Sequence, residues 1–270
     1  MRISTYVGPG VTIEPQQLNR YNNHKYIAEK KYDGIWCLIE TDTNGKVSKL
    51  STRTGVSINH PLIGTNINIP NSKFVGELEW STDIAVQVVA KRGYSKAYVF
   101  DVIQLMGHDV TSLPLEKRHE LVTLSCNKMK TRFIIRAGYC KGSFEKFFKD
   151  VINEPLVEGI ILKKLGTKYV SGSSSGKTDN WVRVKIQRTV DLYVVGIGLT
   201  NSREPNLIVG KWDGNKMVPV QSMSVPKGYK TNELIDCIIE CVYDRVHNSG
   251  RYRHLRFKRI RTDKSKEMTG

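Results

Sequence analysis

The chain has 270 residues, 39% hydrophobic and 25% charged, which supplies enough apolar material for a packed core and too much for a disordered chain. Lys and Arg number 42 against 26 Asp and Glu, a formal charge of +16, so the expected partner is a polyanion, nucleic acid ahead of an anionic membrane surface. No apolar run approaches the roughly 20 residues of a membrane helix. The first residues lack the basic-then-apolar layout of a signal peptide. The five cysteines (Cys37, Cys126, Cys140, Cys237, Cys241) contain no C-x-x-C pair and suggest neither a disulfide framework nor a zinc site. A cytoplasmic protein with reduced thiols, and no membrane contact, is the expectation.

The length exceeds one ordinary core and favours a large domain followed by a smaller one. From Tyr26 to about Arg53 the chain reads as strand, turn, strand, with DTNGK as the turn. Further β runs are KFVGELEW, AYVFDVI, VEGIILKK and NWVRVKIQ. Between them, PLEKRHELVTLSC reads as a helix with Leu115, Leu121, Val122 and Leu124 near one face. SFEKFFKDVIN reads as a second, capped by Ser143 and burying Phe144, Phe147, Phe148 and Val151. Residues 166–180, rich in Gly and Ser, form a predicted mobile surface loop. This irregular mixture is α+β, with antiparallel sheets and helices over residues 1–187. Residues 188–270 carry DLYVVGIGLT, NLIVGKW, a KWDGNK turn, KMVPVQSMS and LRFKRIR, plus one predicted helix, TNELIDCIIECVYDRVHNSG. Its apolar positions are Leu234, Ile235, Ile238, Ile239, Val242 and Val246, and Gly250 is placed to end it. Five short strands with one helix match a small OB-fold β-barrel. Cys237 and Cys241, at i and i+4 on that helix, read as core thiols.

Several residues carry possible chemistry. Lys31 opens Lys31-Tyr32-Asp33-Gly34, which taken alone is a strand closed by an Asp-Gly turn. A lysine becomes a nucleophile toward phosphorus when neighbouring cations or desolvation favour its neutral form, and Lys163, Arg183 and Lys185 lie on strands of the same region. Arg183 and Lys185 are two apart and share a strand face, leaving Val182, Val184 and Ile186 for the core. Glu77, Asp101 and Glu158 sit in apolar runs, where a carboxylate needs a partner, a hydrogen bond or a metal. A bend at Gly159 would let Glu158 and Lys163 face one pocket despite their odd spacing.

Taken in order, Lys31-Tyr32-Asp33-Gly34, Ser51-Thr52-Arg53-Thr54-Gly55, Phe74-Val75-Gly76-Glu77-Leu78, Phe100-Asp101, Glu158-Gly159-Ile160-Ile161-Leu162-Lys163 and Trp181-Val182-Arg183-Val184-Lys185 resemble the successive motifs of the covalent nucleotidyltransferases. The pattern is most similar to the compact ATP-dependent DNA ligases of phages, viruses and bacteria, with Arg261-Thr262-Asp263-Lys264 in place of their last motif. The resemblance spans residues 26–264. It implies a nucleotidyltransferase domain of the ligase, ATP-grasp-like kind over 1–187, an OB-fold over 188–270, and ATP and Mg²⁺ as cofactors. It further implies nicked double-stranded DNA as partner, a monomer, and the cytoplasm of a bacterial cell or phage-infected host.

By that resemblance Lys31 attacks the ATP α-phosphate to form lysine-AMP. Glu29 reads the adenine amino group, Phe100 stacks on the base, and Glu77 contacts the ribose. Lys163, Lys185 and Arg183 neutralise the α-phosphate. Glu158 and Asp101 place the metal, and Arg261 and Lys264 orient the pyrophosphate when the OB domain closes about a hinge near 187–191. The basic strip RYRHLRFKRIRTDKSK holds one acid, Asp263, before Glu267, and Arg256 and Arg259 in it track DNA phosphates. Arg53 and the loop lysines Lys164, Lys168 and Lys177 are further DNA contacts.

Three positions depart from the pattern. Trp36 replaces an arginine that many relatives carry, so that one nucleotide phosphate contact is missing or supplied by Arg53, Arg183 stands where lysine is common, and Thr52 separates Ser51 from Arg53. About thirty residues precede Lys31, too few for a separate upstream DNA-binding domain, and with no zinc-type cysteine set ATP is favoured over NAD. An RNA ligase, a GTP-dependent capping guanylyltransferase and a non-catalytic basic OB-containing binder are the alternatives.

Overall fold

The computed structural model describes residues 10–79, 89–129, 131–170, 178–247 and 249–269. They fall into two compact units, one ending at Lys185 and the other starting at Ile186.

The first unit holds two sheets. Strands β1 (Gly10–Ile13), β2 (Tyr26–Tyr32), β3 (Ile35–Thr41), β4 (Val47–Ser51), β5 (Lys73–Leu78), β6 (Ala97–Leu105), β7 (His108–Asp109), β8 (Ile134–Arg136), β9 (Tyr139–Cys140), β10 (Val157–Lys164) and β11 (Thr178–Lys185) alternate with two helices, Leu115–Lys128 and Phe144–Val151. One sheet runs β1-β11-β10-β2-β9; the other runs β4-β3-β5-β6-β7, with β8 added parallel to β6. The stretch read as a single strand from Ile27 to Thr41 is two strands in different sheets. The chain crosses at Asp33-Gly34, where Asp33 N–H donates to the Leu156 carbonyl at 2.7 Å. Only glycine fits at 34, because a Cβ there would run into the Leu78 carbonyl.

The main core lies between the second sheet and the helix Leu115–Lys128, with Ile39, Leu50, Phe74, Val99, Val102, Val122 and Ile134 all buried. Val122 and the partly buried Leu121 face it and Leu115 is buried, but Leu124 is 58% exposed, so the apolar stripe is narrower than predicted. In the helix Phe144–Val151, Phe144, Phe148 and Val151 are buried while Phe147 is only half-buried. Ser143 is not the cap: it takes φ 52 and its side chain makes no capping bond. Asn22 Oδ1 accepts the Phe144 N–H at 3.2 Å instead.

The second unit is built on the antiparallel sheet β14-β13-β12-β15-β18: β12 (Arg188–Leu199), β13 (Pro205–Trp212), β14 (Met217–Ser224), β15 (Ile238–Tyr243) and β18 (Arg256–Ile260). A small hairpin, β16 (Arg245–Val246) with β17 (Tyr252–Arg253), flanks it. The long helix predicted over 231–250 is absent. Its helical part is Thr231–Leu234 alone, ended by extended Ile235 and by Asp236 at φ 62, and β15 follows. The β-branched pair Ile238-Ile239 and the central position of β15 between β12 and β18 decide this. Ile239 and Cys241 point into the core with Leu192, Val194 and Val209. Cys241 is thus a core thiol and Cys237 packs at the margin, on a strand and its approach rather than on one helix face. Strand β12 already begins at Arg188, so only residues 186–187 separate it from β11, and Asp191 lies within the ladder, opposite Glu240.

Gly159 takes φ 145, and a Cβ there would collide with the Val184 carbonyl on β11. Gly159→Ala is expected to lower stability in urea unfolding by about 2 to 4 kcal/mol. Gly166→Ala, at φ 75 in open space, should lose only about 1 kcal/mol.

Candidate active site

Alternation along three neighbouring strands puts Glu29 and Lys31 of β2, Ile161 and Lys163 of β10, and Trp181, Arg183 and Lys185 of β11 on one sheet face. Ala28, Ile160, Leu162, Val182 and Val184 go to the buried opposite face. Gly159 pairs with Lys31 on one side and Lys185 on the other, so no side chain stands between the two lysines. Strict alternation would send Glu158 to the far face. The register shift between Val157 and Gly159 returns it, and its carboxylate contacts Lys31 Nζ through Oε1 and lies 3.6 Å from Lys185 Nζ through Oε2.

The second sheet supplies the facing wall. Trp36 on β3 is opposite Glu77 on β5, which is opposite Tyr98 on β6. A second register shift, between Val75 and Gly76, makes Phe100 the extra residue of β6 and turns its ring to the same side, where it packs with Trp36 against Leu38, Val75, Ile103 and Tyr169. The enclosed cleft, about 260 Å³, is lined by Glu29, Lys31, Trp36, Arg53, Glu77, Phe100, Lys163, Trp181 and Arg183 among others.

Charges inside the cleft are arranged in pairs. Lys163 is fully buried, 2.5 Å from Glu29 Oε2, and donates to the Phe100 carbonyl at 3.2 Å. Its ammonium lies 4.6 Å from the Phe100 ring centre and 4.4 Å from that of Trp181. Burial alone would push the Glu29 carboxyl up, but the Lys163 ammonium and the His119 imidazole outweigh it and hold the group below the usual carboxylate range. Glu77 behaves oppositely. Burial pushes it up, the Lys31 charge opposes, Glu158 adds to the rise, and the result is about 7.

Asp101 does not join Glu158 in a metal-binding pair. It is buried, and both its oxygens are held by the Arg118 guanidinium, at 2.8 and 3.2 Å. No group of three or more metal-ligating side chains occurs among the described residues. Mg²⁺ needs only one or two carboxylates when phosphate and water complete its shell, so Glu158, with the Glu77 carboxyl near it, suits the ion by donor chemistry.

Of the other candidates, Arg53 sits on the exposed turn after β4 and lines the cleft, Lys164 is half-buried and Lys168 exposed. Lys177 lies outside the described residues. The basic strip is less bare than its sequence suggests, because acids on other strands meet it. Arg259 and Lys258 bind Glu240 at 2.6 and 2.8 Å, Arg256 lies 3.6 Å from Asp244, Arg261 binds both Asp191 and Asp263, and Lys264 binds Asp191 at 2.6 Å. Glu240 is pulled down to about 2 by hydrogen bonds from Lys258 and Arg259. The sequence reading gave no site role to Trp36, Trp181, Arg118 or His119. The two tryptophans were legible as aromatic positions on the right strand faces, whereas nothing in EKRHEL marks Arg118 or His119.

The sequence pattern of the ATP dependent DNA ligase domain matches residues 72–185, from β5 to the end of β11. DNA ligase 4 of Kluyveromyces lactis is 23% identical across 64% of this chain, and a probable DNA ligase of Streptomyces coelicolor is 24% identical across 88%. Over residues 72–185 by sequence, and in its fold, this chain is similar to the ATP-dependent DNA ligases. A solved structure from work on the Lig E DNA ligases superposes with a TM-score of 0.64 at 18% identity, covering 94% of this chain and all of that one. The ligase domain of LigD from M. tuberculosis superposes at 0.53 and 16%, covering 98% of each. The ligase relatives by sequence are longer: the chain spans 23% of the K. lactis protein and 56% of the S. coelicolor one. Among the described residues, no helix is long and apolar enough to cross a membrane.

Two measurements check the electrostatics. Glu77 binds its proton more tightly folded than unfolded, so its contribution to stability is greatest below about pH 4.5 and is lost as pH rises through about 7. Relative to Glu77→Gln, the wild type should lose up to about 3 kcal/mol between pH 4.5 and 8 in chemical denaturation. Arg118→Met strands the Asp101 charge and should cost about 3 to 5 kcal/mol, most of it recovered by adding Asp101→Leu.

Proposed function

We propose that this chain is an ATP-dependent DNA ligase that seals 3′-hydroxyl/5′-phosphate nicks in duplex DNA through a covalent lysine-AMP intermediate. The observation that carries the reading is the placement of Lys31 at the chain's crossing between two sheets, in contact with Glu158 and on one face with Arg183 and Lys185.

In this reading the Lys31 ammonium gives its proton to water, favoured by the neighbouring Arg183 and Lys185 charges, and the freed amine attacks the ATP α-phosphorus. The N–P bond forms as the P–O bond to pyrophosphate breaks, with the electron pair leaving on pyrophosphate. Arg183 and Lys185 stabilise the negative charge that builds on the phosphoryl oxygens. Phe100, which lines the cleft with Ile161, supplies a stacking wall for the base, and Glu29 accepts from its amino group. Lys163, held by Glu29 in the structure, reaches the phosphate once that carboxylate oxygen turns to the base. Glu158, with Glu77 near it, would hold Mg²⁺, which supplies charge neutralisation on the phosphates. A nick 5′-phosphate oxygen then attacks the AMP phosphorus and releases Lys31, and the 3′-hydroxyl displaces AMP to close the strand.

Residues 1–187 are assigned as the adenylation domain and 188–270 as an OB-fold domain. The five-stranded antiparallel sheet of the second unit supports the latter assignment. Arg261 and Lys264 orient pyrophosphate after exchanging Asp191 for it, and Arg256 and Arg259 contact DNA phosphates together with Arg53 and the lysines at 164, 168 and 177. The working form is a monomer.

Purified protein incubated with Mg²⁺ and ATP, GTP or NAD in parallel is expected to gain one AMP by intact mass with ATP alone, and Lys31→Ala none. Labelling by GTP alone would move the assignment to a capping guanylyltransferase, and no labelling by any nucleotide would leave a non-catalytic binder. Sealing of nicked DNA but not nicked RNA duplexes completes the test.

A further inference from the structure

Glu29 is held from two sides. Lys163 takes Oε2 at 2.5 Å from within the sheet, and His119 Nε2 lies 3.1 Å from Oε1. His119 is not part of the sheet; it projects from the helix Leu115–Lys128 and is itself buried. Behind it, Arg136 Nη2 lies 2.6 to 2.8 Å from the imidazole nitrogens, and the Arg136 guanidinium rests 3.6 Å from the Tyr139 ring centre. The His119 and Tyr139 rings meet edge to face at 4.5 Å.

Donor and acceptor rules orient this chain. A guanidinium only donates and a carboxylate only accepts. With Nε2–H donating to Glu29 Oε1 at 3.1 Å, Nδ1 is left as the acceptor 2.8 Å from Arg136 Nη2, which also lies 2.6 Å from Nε2. Lys163 is the partner that the proposed reaction must release, so His119 alone then keeps Glu29 aimed at the cleft. An ionised, fixed carboxylate favours a base that presents an amino group and disfavours one that presents a carbonyl at the same place.

We propose that His119 is a positioning residue that anchors Glu29 while Lys163 moves, and that discrimination of adenine from guanine nucleotides depends on it. The inference rests on the ligase reading. The outer side of His119 lines a separate open cavity of about 530 Å³, together with Tyr26, Thr123, Leu124 and Tyr139, which gives a small molecule a route to the place of a deleted imidazole.

The test follows Lys31 adenylylation by wild type, His119→Gly and His119→Gln with ATP and GTP, with thermal unfolding as a control. His119→Gly is expected to raise KM for ATP about tenfold with kcat changed less, and to narrow the ATP:GTP ratio of kcat/KM by a similar factor. Added imidazole should restore both, N-methylimidazole, which cannot donate a proton from nitrogen, should not, and His119→Gln, which keeps a donor, should recover part of the ATP preference. An unchanged KM and ATP:GTP ratio in His119→Gly, or equal rescue by the two imidazoles, overturns the role of His119. Failure of the wild type itself to form lysine-AMP overturns the ligase reading instead, so the two failures are distinct.

Discussion

Lys31 and Lys185 stand on opposite sides of Gly159, two cations on one sheet face with no side chain between them, and Glu158 is the carboxylate that holds them together. Two like charges on one face of a partly buried site repel each other. An anion shared between them turns that cost into an attraction. The shared anion is available only because the strand bulges: without the register shift at Val157 to Gly159, Glu158 would face the apolar side and the lysines would face each other bare. A glycine at 159 is therefore a condition of both the backbone and the charge arrangement.

The same device recurs on the facing sheet. The shift between Val75 and Gly76 turns Phe100 beside Trp36, so each wall of the cleft owes one decisive side chain to an irregularity in its strand. Between the walls, the buried Glu29–Lys163 pair is saturated by His119, the Phe100 carbonyl and two aromatic rings. Such a pair is tolerable in an apolar setting only when its remaining donors and acceptors are met. The chemistry proposed for the cleft then consists of exchanging partners: a phosphate in place of Glu158 or Glu29 for the lysines, and a base in place of Lys163 for Glu29.

The second unit shows how a basic sequence is tempered by its fold. Read along the chain, residues 251–266 hold many cations and Asp263 as their acid. In the sheet, Asp191 from β12 meets Arg261 and Lys264, and Glu240 from β15 meets Lys258 and Arg259. The cations are thereby positioned at modest energetic gain, since exposed ion pairs contribute little to stability. They remain partly exposed, as the proposed exchange of a carboxylate for a phosphate requires.

Much of this was determined by the sequence alone. The period-2 alternation of Trp181 to Lys185 and of Glu29 to Lys31 assigns their shared faces, because a strand leaves no other choice. Contacts between segments distant in the chain come from the fold. Asp101 looked like half of a metal site until Arg118, on a helix, took both its oxygens. His119 had no local signature at all. The apolar spacing of Leu234, Ile238, Ile239 and Val242 serves a helix and a strand alike, and the vacancy between β12 and β18 selected the strand. Local periodicity settles which way a side chain points, but the partner that gives it a function lies across the core, where no spacing along the chain reaches.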